Sequence, residues 1–152
     1  MAIVMEHMKI TFRLNISIFQ WVDTQLNQKI LVETFFHGLY TGEFQNSKRN
    51  GHGVFQYSAG DKYVGAFKNN LQDGRGIAYF SNGDVYEGNW EKDKRNGYGH
   101  YIYATGDEYL GHWIENKKHG QGKLVLSDGR FYEGKWDGGK RLGDLKPAPK
   151  KL

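Results

Sequence analysis

The sequence predicts an all-β protein: an elongated, twisted antiparallel sheet of stacked β-hairpins with an N-terminal capping segment. Three observations lead there. The pattern Tyr-x-Gly-x-Phe/Trp occurs five times, from Tyr40 to Phe44, Tyr63 to Phe67, Tyr86 to Trp90, Tyr109 to Trp113 and Tyr132 to Trp136, with successive tyrosines 23 residues apart and no insertion. Each unit alternates residue types with period two, as a strand with one buried face does. Glycine supplies 21 of 152 residues and aromatics 15%, against two prolines. That is roughly twice the usual glycine share, and it suits short strands joined by tight turns better than a disordered linker.

Each unit reads as one hairpin. On its first strand Tyr86, Gly88 and Trp90 share a face, and Glu87 and Asn89 point the other way. The polar stretch 91–96 is expected to be the hairpin loop. Eleven residues after each of the first four tyrosines comes Gly-x-Gly: Gly51/Gly53, Gly74/Gly76, Gly97/Gly99 and Gly120/Gly122. An apolar pair follows on the return strand (Phe55/Tyr57, Tyr101/Tyr103, Leu124/Leu126), except that the second unit has Ala78 and then Tyr79-Phe80. Turn signals such as Asn82-Gly83-Asp84 and Asp128-Gly129-Arg130 close the units and supply positive-φ positions. Glycine weakens a strand. Gly42, Gly65, Gly88, Gly111, Gly134 and the Gly-x-Gly pairs are therefore assigned a structural role, leaving room for rings over the backbone and letting the sheet twist.

The flanks differ from the array over 40–145. Within 1–39, Ile10, Phe12, Leu14, Ile16 and Ile18 alternate with polar residues, a strand pattern. Shifting the repeat back one period puts Trp21 at the Phe/Trp position and Ile30 at the second glycine, which predicts a degenerate capping unit over 17–39. In the last unit Gly143 keeps the first glycine position but Leu145 takes the second, and 146–152 reads as a flexible tail.

With no cysteine, disulfides, thiolate metal sites and a cysteine nucleophile are excluded. No apolar run approaches the roughly 18 residues of a membrane span, and the N-terminus lacks the pattern of a signal peptide, so a cytoplasmic protein is expected. A net charge of +4 is too mild to predict nucleic-acid binding. The glycine pairs complete no phosphate-loop motif. The six histidines fall at unrelated positions in the units, and no nucleophile–base or paired-acid arrangement stands out. The expectation is a non-enzyme without metal or cofactor.

Two binding surfaces are candidates. Tyr40, Phe44, Tyr63, Phe67, Tyr86, Trp90, Tyr109, Trp113, Tyr132 and Trp136 share one face. A single curved sheet has no second layer to cover them, so this aromatic groove is expected to serve partly as core and partly as a partner surface. Lys48, Arg49, Lys94, Arg95, Lys117, Lys118, Lys140 and Arg141 recur in the expected hairpin loops. Stacking would align them into a basic edge able to meet anionic lipid, although Asp73, Glu91, Asp93, Glu115 and Asp137 are interspersed and would make it an ordinary solvated edge.

The combination of Tyr-x-Gly-x-Trp, Gly-x-Gly and a Gly-Asp-type turn resembles the MORN repeat family over residues 40 to about 145. The resemblance implies an elongated, twisted antiparallel sheet with a groove that acts as a scaffold. Its partners would be other proteins or a second copy of the array; phospholipid binding, as a peripheral membrane tether, is the alternative. The runs 109–122 and 81–88 are similar to units of radial-spoke-head and other ciliary MORN proteins, which implies a cytoskeletal place in the axoneme of a cilium or flagellum.

Overall fold

Consecutive hairpins build the whole sheet, with two-residue turns inside the repeat units and four- or five-residue turns between them. The structure is a computed structural model that describes residues 10–13, 16–23 and 28–35 as backbone and residues 37–147 in full. Its strands are β1 (Ile10–Arg13), β2 (Ile16–Asp23), β3 (Gln28–Phe35), β4 (Gly38–Gln45), β5 (Lys48–Tyr57), β6 (Lys62–Lys68), β7 (Leu71–Tyr79), β8 (Val85–Glu91), β9 (Lys94–Ile102), β10 (Glu108–Ile114), β11 (Lys117–Val125), β12 (Phe131–Asp137) and β13 (Lys140–Arg141). Each pairs antiparallel with its sequence neighbour, giving one open sheet in strand order β1 to β13. There is no helix among the described residues.

The polar stretch 91–96 is not a six-residue loop. The turn is Lys92-Asp93 alone, and β9 already begins at Lys94. Both turn residues have positive φ, 50° and 64°, and so do their equivalents Asn46-Ser47, Asn69-Asn70, Glu115-Asn116 and Gly138-Gly139. Two successive positive φ values define the type I′ turn, whose twist matches that of paired strands. Four of the five pairs lack glycine, so the usual signature is weak in the sequence.

A bulge follows the turn in each of the first four units. Gly88 faces Gly99 but Trp90 faces Arg95, so residues 96–98 of β9 stand opposite Asn89. The same shift recurs between Gly42/Phe44, Gly65/Phe67 and Gly111/His112.

The two glycines of each Gly-x-Gly pair have different roles, where a shared one was expected. The first of each pair, Gly51, Gly74, Gly97 or Gly120, has positive φ. Gly97 lies inside the bulge at φ 83°, a region that L side chains rarely adopt, so its role is conformational. The second of each pair, Gly53, Gly76, Gly99 or Gly122, does not have positive φ, and neither do Gly42, Gly65, Gly88, Gly111 and Gly134. At these positions the expected contribution to backbone freedom is absent, and the missing Cβ is the whole reason for glycine.

The space they leave is taken by the tyrosine of their own unit. A Cβ built on Gly99 would lie 2.5 Å from Tyr86 Cε2, and one on Gly88 would lie 2.6 Å from Tyr86 Oη. In the same way a Cβ on Gly76 would lie 2.6 Å from Tyr63 Cε2, and one on Gly122 would lie 2.7 Å from Tyr109 Cε2. Each tyrosine folds back over this glycine pair, and its hydroxyl donates to a bulge carbonyl. Tyr86 Oη donates to Asn89 O at 3.0 Å, and Tyr40, Tyr63, Tyr109 and Tyr132 repeat the bond to Glu43, Ala66, His112 and Lys135.

At the N-terminal edge, Arg13 pairs with Ile16, so the alternating run through residues 10–18 folds back on itself instead of forming one strand. Strand β3 pairs with β4, which extends the sheet past the first unit. Its register, with Ile30 opposite Glu43, runs one residue out of step with the repeat, where Gly53 faces Gly65. A one-residue offset exchanges the two faces of a strand. The side chains of 17–36, on which the degenerate-unit correspondence turns, lie outside the described residues.

At the other end, Gly143 approaches Tyr132 Cε2 within 2.8 Å of a built Cβ, the place the second glycine holds elsewhere. Lys146, expected in the tail, exchanges backbone hydrogen bonds with Phe131. Residues 148–152 lie outside the described residues.

Candidate binding surfaces

The aromatic face is the hydrophobic core. Tyr40, Tyr63, Tyr86 and Tyr109 are at most 1% exposed, and Phe67, Trp90, Trp113, Tyr132 and Trp136 at most 8%; Phe44 is half-buried. The rings cover one another. Tyr86 stands edge-on to its own Trp90 at 5.2 Å and to Trp113 of the next unit at 5.4 Å. The same two contacts link Tyr63 to Phe67 and Trp90, and Tyr109 to Trp113 and Trp136. Edge-to-face pairs of this kind add about 0.5–1.5 kcal/mol beyond area burial. A second row (Phe55, Ala78, Tyr101 and Leu124, with Tyr57, Phe80, Tyr103 and Leu126 beside them) completes the layer. An expected partner groove is thus largely filled by the array itself, because sheet curvature folds each ring onto its neighbours.

The basic residues do not lie in loops and do not form one edge. They occupy successive positions of the return strands, and successive strand residues point to opposite faces. Lys48, Lys94, Lys117 and Lys140 are exposed, and Lys94 pairs with Glu115 at 2.8 Å. Arg49, Arg95 and Lys118 turn inward as lids. The Arg95 guanidinium lies 5.7, 5.2 and 4.6 Å from the ring centroids of Tyr86, Tyr101 and Trp113, and Arg49 and Lys118 each cover three rings likewise. Arg95 Nε also donates to Asn116 Oδ1 at 3.2 Å. Burial, followed by the nearby Arg95 charge, pushes the Lys118 ammonium down to about 8. Arg141, on the terminal strand, remains exposed.

Side chains also stitch the units together. The turn residue Asn116 accepts the Arg95 amide of the preceding unit, and Asp93 and Asn70 accept those of Gln72 and Arg49. On the opposite margin Asp61, Asp84 and Asp107 accept the amides of Ser81, Ala104 and Ser127 in the next unit. The Gly-Asp turn signal therefore carries an inter-unit bond that its local reading did not include. Asp84 also accepts from Tyr101 Oη at 2.6 Å, and this bond holds its carboxyl below the usual range.

The outward face carries exposed apolar side chains that sequence reasoning overlooked. In register across four strands stand Thr41, Val54, Val64 and Ile77. Val54 and Val64 are 37% and 36% exposed, with exposed Leu39 and Tyr79 one step along. The signal was the β-branched residue adjoining the inward glycine of each strand, Gly42, Gly53, Gly65 or Gly76. Further along the same row it gives way to Glu87 and His100. His100 pairs with Glu108 at 3.0 Å, while His112 meets Tyr98, so the two histidines do not converge. Among the described residues no group of three or more His, Asp or Glu is placed to hold a metal ion.

No curated protein matches the chain significantly. The MORN repeat model matches residues 40–62, 63–85, 86–108 and 109–129. The fifth unit falls outside those matches; it keeps Tyr132 over Gly134 and Gly143 but ends in a two-residue return strand. A match over more than half the chain, together with the glycine-seated tyrosines that recur at its period, shows that this protein belongs to the MORN repeat family, whose units are non-catalytic binding modules associated with proteins or membranes.

Proposed function

We propose that this protein is a structural adaptor that docks another protein on the outward face of its sheet. One observation carries the reading: the inner face is largely filled as core, while the cross-strand row Val54–Val64–Ile77 leaves apolar side chains at the surface of a sheet stitched into a stiff unit. Surface apolar rows of this kind are ordinary features of protein interfaces. The likeness of 109–122 and 81–88 to ciliary members of the family supports an axonemal setting such as the radial spoke head. A second copy of the array is a further candidate partner.

Membrane tethering is the family's other role. The exposed basic row needed for it is broken in the second unit, where Leu71-Gln72 replaces the Lys-Arg type of pair found elsewhere, and Glu115 neutralises Lys94. Both features favour the protein-docking reading.

The test is affinity recovery from ciliated cells with wild type and with Val64→Glu. Val64 is exposed, so the variant keeps the fold, as far-UV circular dichroism will verify. Axonemal proteins recovered by wild type and lost with Val64→Glu are the expected result. Equal recovery by both proteins overturns docking on this face. Recovery of endomembrane proteins, with sedimentation on phosphoinositide vesicles at about 150 mM salt, overturns the adaptor reading in favour of a tether.

A further inference from the structure

The second unit breaks the array's internal pattern at two positions that meet in space. Nine residues after each tyrosine stand Arg49, Gln72, Arg95, Lys118 and Arg141. The second unit alone has no cation there. Fifteen residues after the first four tyrosines stand Phe55, Ala78, Tyr101 and Leu124, so the second unit also has the smallest wall. In the third unit the guanidinium of Arg95 fills the space between Tyr86, Tyr101 and Trp113. In the second, the corresponding space between Tyr63, Ala78 and Trp90 opens into a cleft of about 460 Å³.

Its acceptor is also changed. Asn116 Oδ1 takes both the Arg95 amide and the Arg95 Nε–H. The equivalent acceptor for Gln72 is Asp93 of the third unit, an acid. Its Oδ1 takes the Gln72 amide at 2.7 Å, and Gln72 Nε2 turns to Tyr57 Oη at 2.8 Å instead. The carboxylate acts on the cleft: after burial, Asp93 is the next cause holding the Tyr57 phenol above its ordinary value. Arg49 and Lys62 also line the cleft. However, the Arg49 guanidinium lies over Phe55 and donates to Asn70 O, and Lys62 lies over Tyr79. Asp61 is held by the Ser81 amide. The second unit has thus lost its own cation, and its cleft faces an acid from the third unit where the other inward-facing cations find a neutral amide or a turn backbone.

We infer that this cleft is a recognition slot for an arginine side chain supplied by a partner protein, which would lie over Tyr63, Ala78 and Trp90 as Arg95 lies over the equivalent residues of the third unit, and pair with Asp93. The guanidinium suits it because it is flat, keeps its charge, and stacks on aromatic faces while hydrogen-bonding in its own plane. Tyr63, Ala78 and Trp90 lie on the face opposite the Val54–Val64–Ile77 row, so failure of the slot leaves the docking reading of that row standing.

The test is a titration of the isotope-labelled protein with two short acetylated peptides, Ala-Arg-Leu amide and its citrulline counterpart, which has the same shape without the charge. The arginine peptide is expected to shift the Ala78 methyl and Trp90 indole N–H resonances saturably. The citrulline peptide should bind at least about tenfold more weakly. Gln72→Arg restores the internal cation and should abolish the response while raising the melting temperature. Ala78→Tyr, which rebuilds the wall, should abolish it as well. Equal shifts with both peptides, shifts confined to other units, no shift at all, or a response that survives Gln72→Arg would each overturn the slot. Loss of axonemal partners with Val64→Glu but not with Gln72→Arg would separate the two surfaces.

Discussion

Replacing Gly99 with alanine adds one methyl group at a place where the structure has no room for it. The new Cβ would sit 2.5 Å from Tyr86 Cε2, about 1 Å inside ordinary contact. Tyr86 cannot easily yield. It is fully buried, clamped edge-on by Trp90 and Trp113, and tied through its hydroxyl to Asn89 O at 3.0 Å. Overpacking of this kind costs about 1–3 kcal/mol, and losing the hydroxyl bond adds about 1 kcal/mol. The expected loss is therefore about 2–4 kcal/mol, which in a protein of this size lowers the melting temperature by roughly 5–15 °C. Urea denaturation and calorimetry would measure it. Tyr86→Phe in the Gly99→Ala background should cost less than Tyr86→Phe alone, because the hydroxyl is one of the atoms the methyl displaces. A Gly99→Ala change within about 0.5 kcal/mol of wild type, or strict additivity with Tyr86→Phe, would refute the account of why the glycines recur.

Gly97 tests the second kind of glycine: at φ 83°, alanine should destabilise by about 1–2 kcal/mol and asparagine by less, since asparagine tolerates the left-handed region, as chemical denaturation of the pair would show. Arg95→Ala uncovers three rings and should cost about 1–3 kcal/mol, with Arg95→Lys intermediate because the ammonium cannot stack; the fluorescence of Trp113 beneath it should report the added water. Lys118 gives a pH signature. Its folded value, about 8, lies below the ordinary 10.5, so the unfolded chain binds more protons between those values and stability should rise with pH across that window; Lys118→Met should flatten the rise. Above pH 10 the sign reverses: burial raises Tyr40 and Tyr86 to about 12, the unfolded chain loses those protons first, and stability should fall, as denaturation midpoints from pH 7 to 12 would record.

What the sequence alone determined is everything that depends on periodicity. Tyr-x-Gly-x-Trp at a constant spacing fixes strand, face and unit length, because side chains alternate on a strand and a stacked hairpin must match its neighbour's register. The same alternation separated Glu87 and Asn89 from the ring face, and the requirement for a missing Cβ was legible wherever a glycine stood among aromatics. Five features needed the tertiary structure. Gly97 and Gly99 look alike in the chain, and only the bulge separates the one that needs positive φ from the one that needs space. The turn at Lys92-Asp93 takes two positive φ values without glycine, which strand twist imposes and residue type does not announce. Whether the aromatic face is core or partner surface depended on curvature: each tyrosine meets the tryptophan of the next unit only once the sheet twists, a contact between residues 27 apart in the chain, such as Tyr86 and Trp113. The basic residues divided the same way. Lys94 and Arg95 are neighbours in one charged run, but the pleat sends one to Glu115 and solvent and the other over three rings. The departures at Gln72 and Ala78 were both visible in the sequence. That they face one cleft beside Asp93 became visible only when the hairpins were stacked.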